Sequence, residues 1–220
     1  MEPQEITQPM AIQYLDMRGN IAGNREIALL RHLLTKCVHW GMIPYNQLRG
    51  MQYRNPERSR DRDVTRQELR WVMRRAETRE RRLMWLIFLT GLRREDALRL
   101  TEFNLKPDGI HTTERKTGKR IRIAWSDSLR RVTGKLLADS PDSRLFAISS
   151  SGIDSAWQRL RKRLRQTEDY ELFQLKDLRA AHASEIEDGG GDATRQLGHS
   201  SRALTQKHYL RRGRWLTPIK

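Results

Sequence analysis

Residues 196–212 read QLGHSSRALTQKHYLRR, with His199 and Tyr209 ten positions apart among small, polar and basic residues. A tyrosine on a surface helix is ordinarily a packing residue, and this window alone leaves that reading open. Moving back along the chain, the segment LKDLRAAHAS at 175–184 sets Lys176 and Arg179 at i and i+3, on one helical face. Arg93 directly follows the break TGL at 90–92, and Lys116 sits at the tip of a turn in RKTGK. Each of these side chains alone has an ordinary reading as a helix-end charge, a solvated turn lysine or a capping histidine. Their order along one chain is what requires explanation.

The chain has 220 residues, enough for one full domain and a smaller one. Lys and Arg number 43 against 27 Asp and Glu, a net charge of +16, which points to a polyanionic partner. The longest apolar run, LMWLIFL at 83–89, is far short of the roughly 20 residues of a spanning helix and predicts a buried helix. No signal-peptide apolar region is present at the N-terminus, so a cytosolic location is expected. A single cysteine, Cys37, excludes an internal disulfide framework and a cysteine-based zinc site. His111, His182 and Cys37 lack metal-ligand spacing and are expected to be structural.

Hydrophobic periodicity predicts a mainly helical protein with one small sheet. NREIALLRHLLTKCVHWG (24–41) carries the stripe Ile27, Leu30, Leu34 and Cys37, with Asn24 as its expected cap and Gly41 as its stop. The polar, proline-containing stretch RNPERSRDRD marks a linker. TRQE at 65–68 fits a capping box opening a helix through Arg75, and the apolar helix after it ends at TG, 90–91. Following the helical segment EDALRLTEF, the period changes to two: KRIRIAW alternates Ile121, Ile123 and Trp125, and GIHTTE pairs back across KTGK as a hairpin. Helices then resume over SDSLRRVTGKLLAD, DSAWQRLRKRL, LKDLRAAHASEIED, DATRQL and a last one carrying Tyr209. In RLRKRLR at 159–165, Leu160 and Leu164 align with Trp157 on an apolar face, leaving Arg159, Lys162 and Arg163 to meet phosphates.

Four motifs in this order, TGLRREDALRL, ERKTGKRIRI, LKDLRAAHAS and LGHSSRALTQKHYLRR, resemble those of the tyrosine recombinases, specifically the phage integrases, over residues 24–212. The resemblance implies an α+β catalytic domain over 65–220, a linker over 55–64, and a partial, helical core-binding (SAM-like) domain over 1–54 that is shortened at its N-terminus. It also implies a homotetramer on two double-stranded DNA attachment sites, with DNA-bending accessory proteins as further candidates. The activity implied is DNA integration and recombination of prophage type. Arg93, Lys116, Lys176, Arg179 and His199 would be catalytic, Tyr209 the nucleophile, and Asp96 a carboxylate that orients a catalytic cation. Arg115, Lys119, Arg159, Lys162 and Arg163 would contact DNA.

The residue types suit that chemistry. Attack of a tyrosine hydroxyl on a phosphodiester builds negative charge on the non-bridging oxygens, and planar, permanently charged guanidinium groups stabilise it best. Lys116 resembles the general acid for the departing 5′ oxygen, and the bond is conserved as a phosphotyrosine. No metal, cofactor or nucleotide is expected. Two departures stand out: the family most often has histidine where this chain has Lys176, and the His199–Tyr209 spacing differs by one residue from the usual pattern. The competing expectations are a catalytically impaired prophage remnant that only binds DNA, a type IB topoisomerase-like enzyme with the same chemistry, and a helix-turn-helix regulator.

Overall fold

The structure is a computed structural model and describes residues 2–57, 60–198 and 201–210. The chain divides into two compact units, Met1–Ser59 and Arg60–Lys220.

In the first unit, helices α1 (Gln8–Arg18) and α2 (Asn20–His39) meet at Gly19, whose φ of 60° closes α1. The sequence places the start of this second helix at Asn24 and assigns nothing before it. The structure instead begins α2 at Asn20, and Gly23 lies inside it where a methyl group would stand 3.3 Å from Leu15. Asn24 is therefore no cap. It faces inward, and its amide donates to the Asn55 carbonyl and to Glu57 at 2.8 Å each. Ala11 and Leu15 of α1 pack on Ile27, Leu34 and Cys37 of α2, closed by Ile43, Leu48 and Met51.

The second unit is built around α4 (Thr78–Thr90), which buries Leu83, Met84, Leu86, Ile87 and Phe88 and so is covered on most sides. It packs on α3 (Arg66–Arg75), α5 (Arg94–Leu98), α6 (Asp127–Ala138), α7 (Ser150–Glu168) and α8 (Leu175–Asp188). Thr65 caps α3 through the Glu68 amide at 3.1 Å, but only half of the expected capping box forms. The Glu68 carboxylate is taken by Arg62 and Tyr170. Ser126 caps α6 by accepting from the Leu129 amide, where the sequence leaves Ser126 and Asp127 as alternatives.

The helical segment expected over EDALRLTEF is interrupted. Helix α5 stops at Leu98 because the Leu100 carbonyl accepts from the Leu145 amide at 2.9 Å, and only a 3-10 turn, Glu102–Asn104, follows. The hairpin is β2 (Gly109–Thr113) on β3 (Arg120–Ala124), in the register Gly109↔Ala124 to Thr113↔Arg120. A short third strand, β1 (Leu105–Lys106), pairs on the far side of β2. Gly109 is required there, since a Cβ would lie 2.1 Å from the Ile123 carbonyl oxygen. Helix α7 places Trp157, Leu160 and Leu164 in the core and leaves Arg159 and Lys162 exposed. Two short helices, α9 (Ala193–Gln196) and α10 (Arg202–His208), end the described chain.

An arginine pair as candidate active site

Arg179 projects from the middle of α8 and is only 5% exposed. Removing a guanidinium from water is unfavourable unless its donors are met. Its Nη1 donates to the Gly91 carbonyl at 2.6 Å and its Nη2 to the Leu197 carbonyl at 3.0 Å. Both acceptors lie at helix C-terminal ends, those of α4 and α9, where the backbone dipoles present partial negative charge. Gly91 can reach this position because it adopts φ 65°, and a Cβ there would stand 2.6 Å from His182 Cδ2. His182 is itself buried, its Nδ1 bonded to the Phe88 carbonyl at 2.8 Å. Burial holds the His182 pKa below its usual value, consistent with the structural role expected for it.

Arg93 sits at the N-cap of α5, two residues after Gly91, and remains partly exposed. Its Nη1 pairs with Glu114 and lies 4.0 Å from Asp96 Oδ2. Asp96, 3% exposed, accepts the Arg115 amide at 3.0 Å, so one carboxylate links the Arg93 helix to the hairpin turn. Glu114 is the residue that sequence reasoning missed. It is 2% exposed and lies between the two arginines, with its Oε1 3.5 Å from Arg179 Nη2 and its Oε2 accepting from the Thr117 hydroxyl at 2.6 Å. Burial pushes its pKa up, but the Thr117 hydrogen bond and the charges of Arg93 and Arg179 outweigh that and hold it below the ordinary carboxylate range. Nothing in TTERKTGK distinguishes Glu114 from a solvated turn carboxylate, because its partners lie far away in sequence.

Tyr209 joins the same cluster. It follows α10 as the C-cap instead of lying within the helix, which ends at His208. Its ring packs near Ala183, Ala193 and Leu197, and the Arg179 guanidinium carbon lies 5.8 Å from the ring centre. For Arg179, burial is the largest influence on its pKa and, with the charge of Arg93, lowers it, while Tyr209 and Glu114 act in the opposite direction. A guanidinium remains charged under these conditions.

The remaining candidates do not gather in one place. Lys119, read as a DNA contact, donates from Nζ to the Gly198 carbonyl at 2.9 Å. It lines, with Gly91, Glu114, Arg179, Arg195 and Gly198, a hollow of about 300 Å³. Lys116 and Arg115 are exposed in the hairpin turn. Lys176 is exposed on α8 and lines a separate hollow of about 340 Å³ with Arg94, Trp157 and Arg161, so it is not grouped with Arg179 despite the i, i+3 spacing. Arg163 donates to the Arg75 carbonyl. His199 lies outside the described residues. Among the described residues no three His, Cys, Asp or Glu side chains group as metal ligands, and no helix is long and apolar enough to cross a membrane.

No family model and no curated protein matches the sequence. Solved structures do match the fold. A lambda integrase (75–356) dimer bound to a COC′ core site superimposes with a TM-score of 0.77 at 20% identity, over 100% of this chain and 83% of that one. The Tn1549 transposon integrase (82–397), solved with circular intermediate DNA, gives 0.67 at 13% identity over 94% of this chain and 81% of that one. The catalytic domain of bacteriophage HP1 integrase gives 0.50 at 20% identity over 69% of this chain and 87% of that one. The chain carries the fold of the tyrosine-recombinase integrases.

Proposed function

We propose that the protein is a site-specific DNA recombinase that cleaves and rejoins strands through a 3′-phosphotyrosine. The observation that carries this reading is the convergence of Arg93, Arg179 and Tyr209, from three separate segments, on one partly buried cluster around Glu114. In the reaction the Tyr209 oxygen forms a bond to phosphorus as the bond to the 5′ oxygen breaks. The phenol proton passes to water, and the departing oxygen gains one from Lys116 in this reading. Arg93 and Arg179 stabilise the charge that builds on the non-bridging oxygens, and Asp96 holds Arg93 and the Arg115 backbone in place. The unit Met1–Ser59 serves as the core-binding domain, the exposed Arg159 and Lys162 contact DNA phosphates, and the working form is a tetramer on two duplexes. Solved lambda integrase includes a tetramer bound to a Holliday junction, which supports that last assignment.

The test is a nicked or phosphorothiolate suicide substrate incubated with wild type and with Tyr209→Phe, resolved on a denaturing gel. A covalent adduct in the wild type alone is expected. If neither protein forms an adduct on DNA that both bind, the catalytic reading fails and the protein is a DNA-binding relative that has lost strand cleavage.

A further inference from the structure

Two arginines brought this close in a largely buried setting should repel one another, yet here they share a partner. Glu114 Oε1 is paired with Arg93 Nη1 and lies 3.5 Å from Arg179 Nη2, so a single carboxylate oxygen bridges both guanidinium groups. That is the position in which a non-bridging phosphate oxygen would satisfy the same two forks. The second carboxylate oxygen is held by Thr117 at 2.6 Å. A further donor stands ready: Arg179 Nε is buried and, among the described residues, has no hydrogen-bond partner. A buried donor left unmet is unfavourable, and an acceptor arriving at the Arg179 guanidinium would relieve that cost.

The geometry points to Glu114 as an internal counter-anion that holds the arginine seat of the scissile phosphate in the free protein and yields it when DNA enters. The inference rests on the recombinase reading above for the identity of the phosphate. Glu114 also closes the hairpin turn, since its amide donates to the Lys119 carbonyl and its carbonyl accepts from the Gly118 amide, both at 2.9 Å. Displacing the carboxylate therefore frees Thr117 and loosens the turn that carries Lys116. Arrival of the phosphate is coupled in this way to release of the lysine turn. A carboxylate acting solely as a structural brace would also stabilise the arginines, but its removal would not create a seat selective for an oxyanion.

Thermal unfolding of the full chain separates the two roles. Wild type, Glu114→Gln and Thr117→Val are melted in sodium chloride and in inorganic phosphate at matched ionic strength. With Glu114 neutralised, phosphate should raise the melting temperature by about 3 °C or more beyond its effect on the wild type. Thr117→Val, which unfastens the carboxylate without removing it, should fall between and serves if Glu114→Gln does not fold. On suicide DNA below saturation, Glu114→Gln should form its adduct about tenfold faster, because the seat is no longer occupied in most molecules. An equal phosphate response in all proteins that fold overturns the proposal. The phosphate measurement needs neither DNA nor Tyr209 chemistry. A wild type that forms its tyrosine adduct while the phosphate responses are equal thus removes the counter-anion and leaves the recombinase reading intact. A selective phosphate response without any adduct does the reverse.

Discussion

Arg179 is held by Gly91: its Nη1 donates to the Gly91 carbonyl at 2.6 Å, across 88 residues of sequence. The last turn of α4 therefore positions a cation that belongs to α8. Gly91 can do this only with its left-handed backbone and without a Cβ.

Gly91→Ala should accordingly destabilise the protein by about 2–4 kcal/mol, combining left-handed backbone strain with the clash against His182. Urea unfolding reads this directly. A loss of under about 0.5 kcal/mol would show that α4 and α8 can part without consequence.

Replacing Arg179 by lysine keeps the charge and loses the fork that reaches Gly91, Leu197 and Glu114 together. Adduct formation on suicide DNA should fall about 10²–10³-fold, the range for loss of one donor to a developing oxyanion. DNA affinity should change far less, since Arg179 is buried while phosphate binding comes mainly from exposed cations.

The acid side of the stability profile should have two components that separate by pH. His182 is held below its ordinary 6.5 by burial, so the unfolded chain takes up that proton first and stability declines as pH falls below about 6.5. Glu114 is held below its ordinary 4.5. Its contribution is complete above that value and is lost as pH falls through the lower, folded-state value. Urea midpoints measured between pH 8 and pH 3 should show Glu114→Gln differing from wild type by a constant amount above about pH 5, with the gap closing below it. His182→Gln should remove the slope in the upper window alone.

On α7, Arg159, Lys162 and Arg163 are all exposed, and Arg163 also donates to the Arg75 carbonyl. Alanine at Arg159 or Lys162 should lower the slope of log affinity against log salt by about 0.9 for each phosphate no longer neutralised, with stability nearly unchanged. Arg163→Ala should also lower the melting temperature. Fluorescence anisotropy across a salt series distinguishes the cases, and an unchanged slope for both Arg159 and Lys162 would take α7 off the DNA.

Several elements of this protein are encoded by residues close together along the chain. The buried helix LMWLIFL, the β2–β3 hairpin across KTGK, and the Thr65 and Ser126 caps each follow from periodicity or from a bond to a residue three positions on. The order of Arg93, Lys116, Arg179 and Tyr209 is likewise legible as a pattern. Other features depend on partners brought together from a distance, and these emerge only in the folded chain. Asn24 looks like a cap until Asn55 and Glu57 are found at its amide. Lys176 and Arg179 share a helical face in sequence, yet they line different hollows. Glu114 is one more turn carboxylate until α5 and α8 deliver Arg93 and Arg179 to either side of it. Local hydrogen bonds and alternation are encoded within a few residues, whereas the burial that gives a charge its meaning is created by segments that meet only once the core has formed.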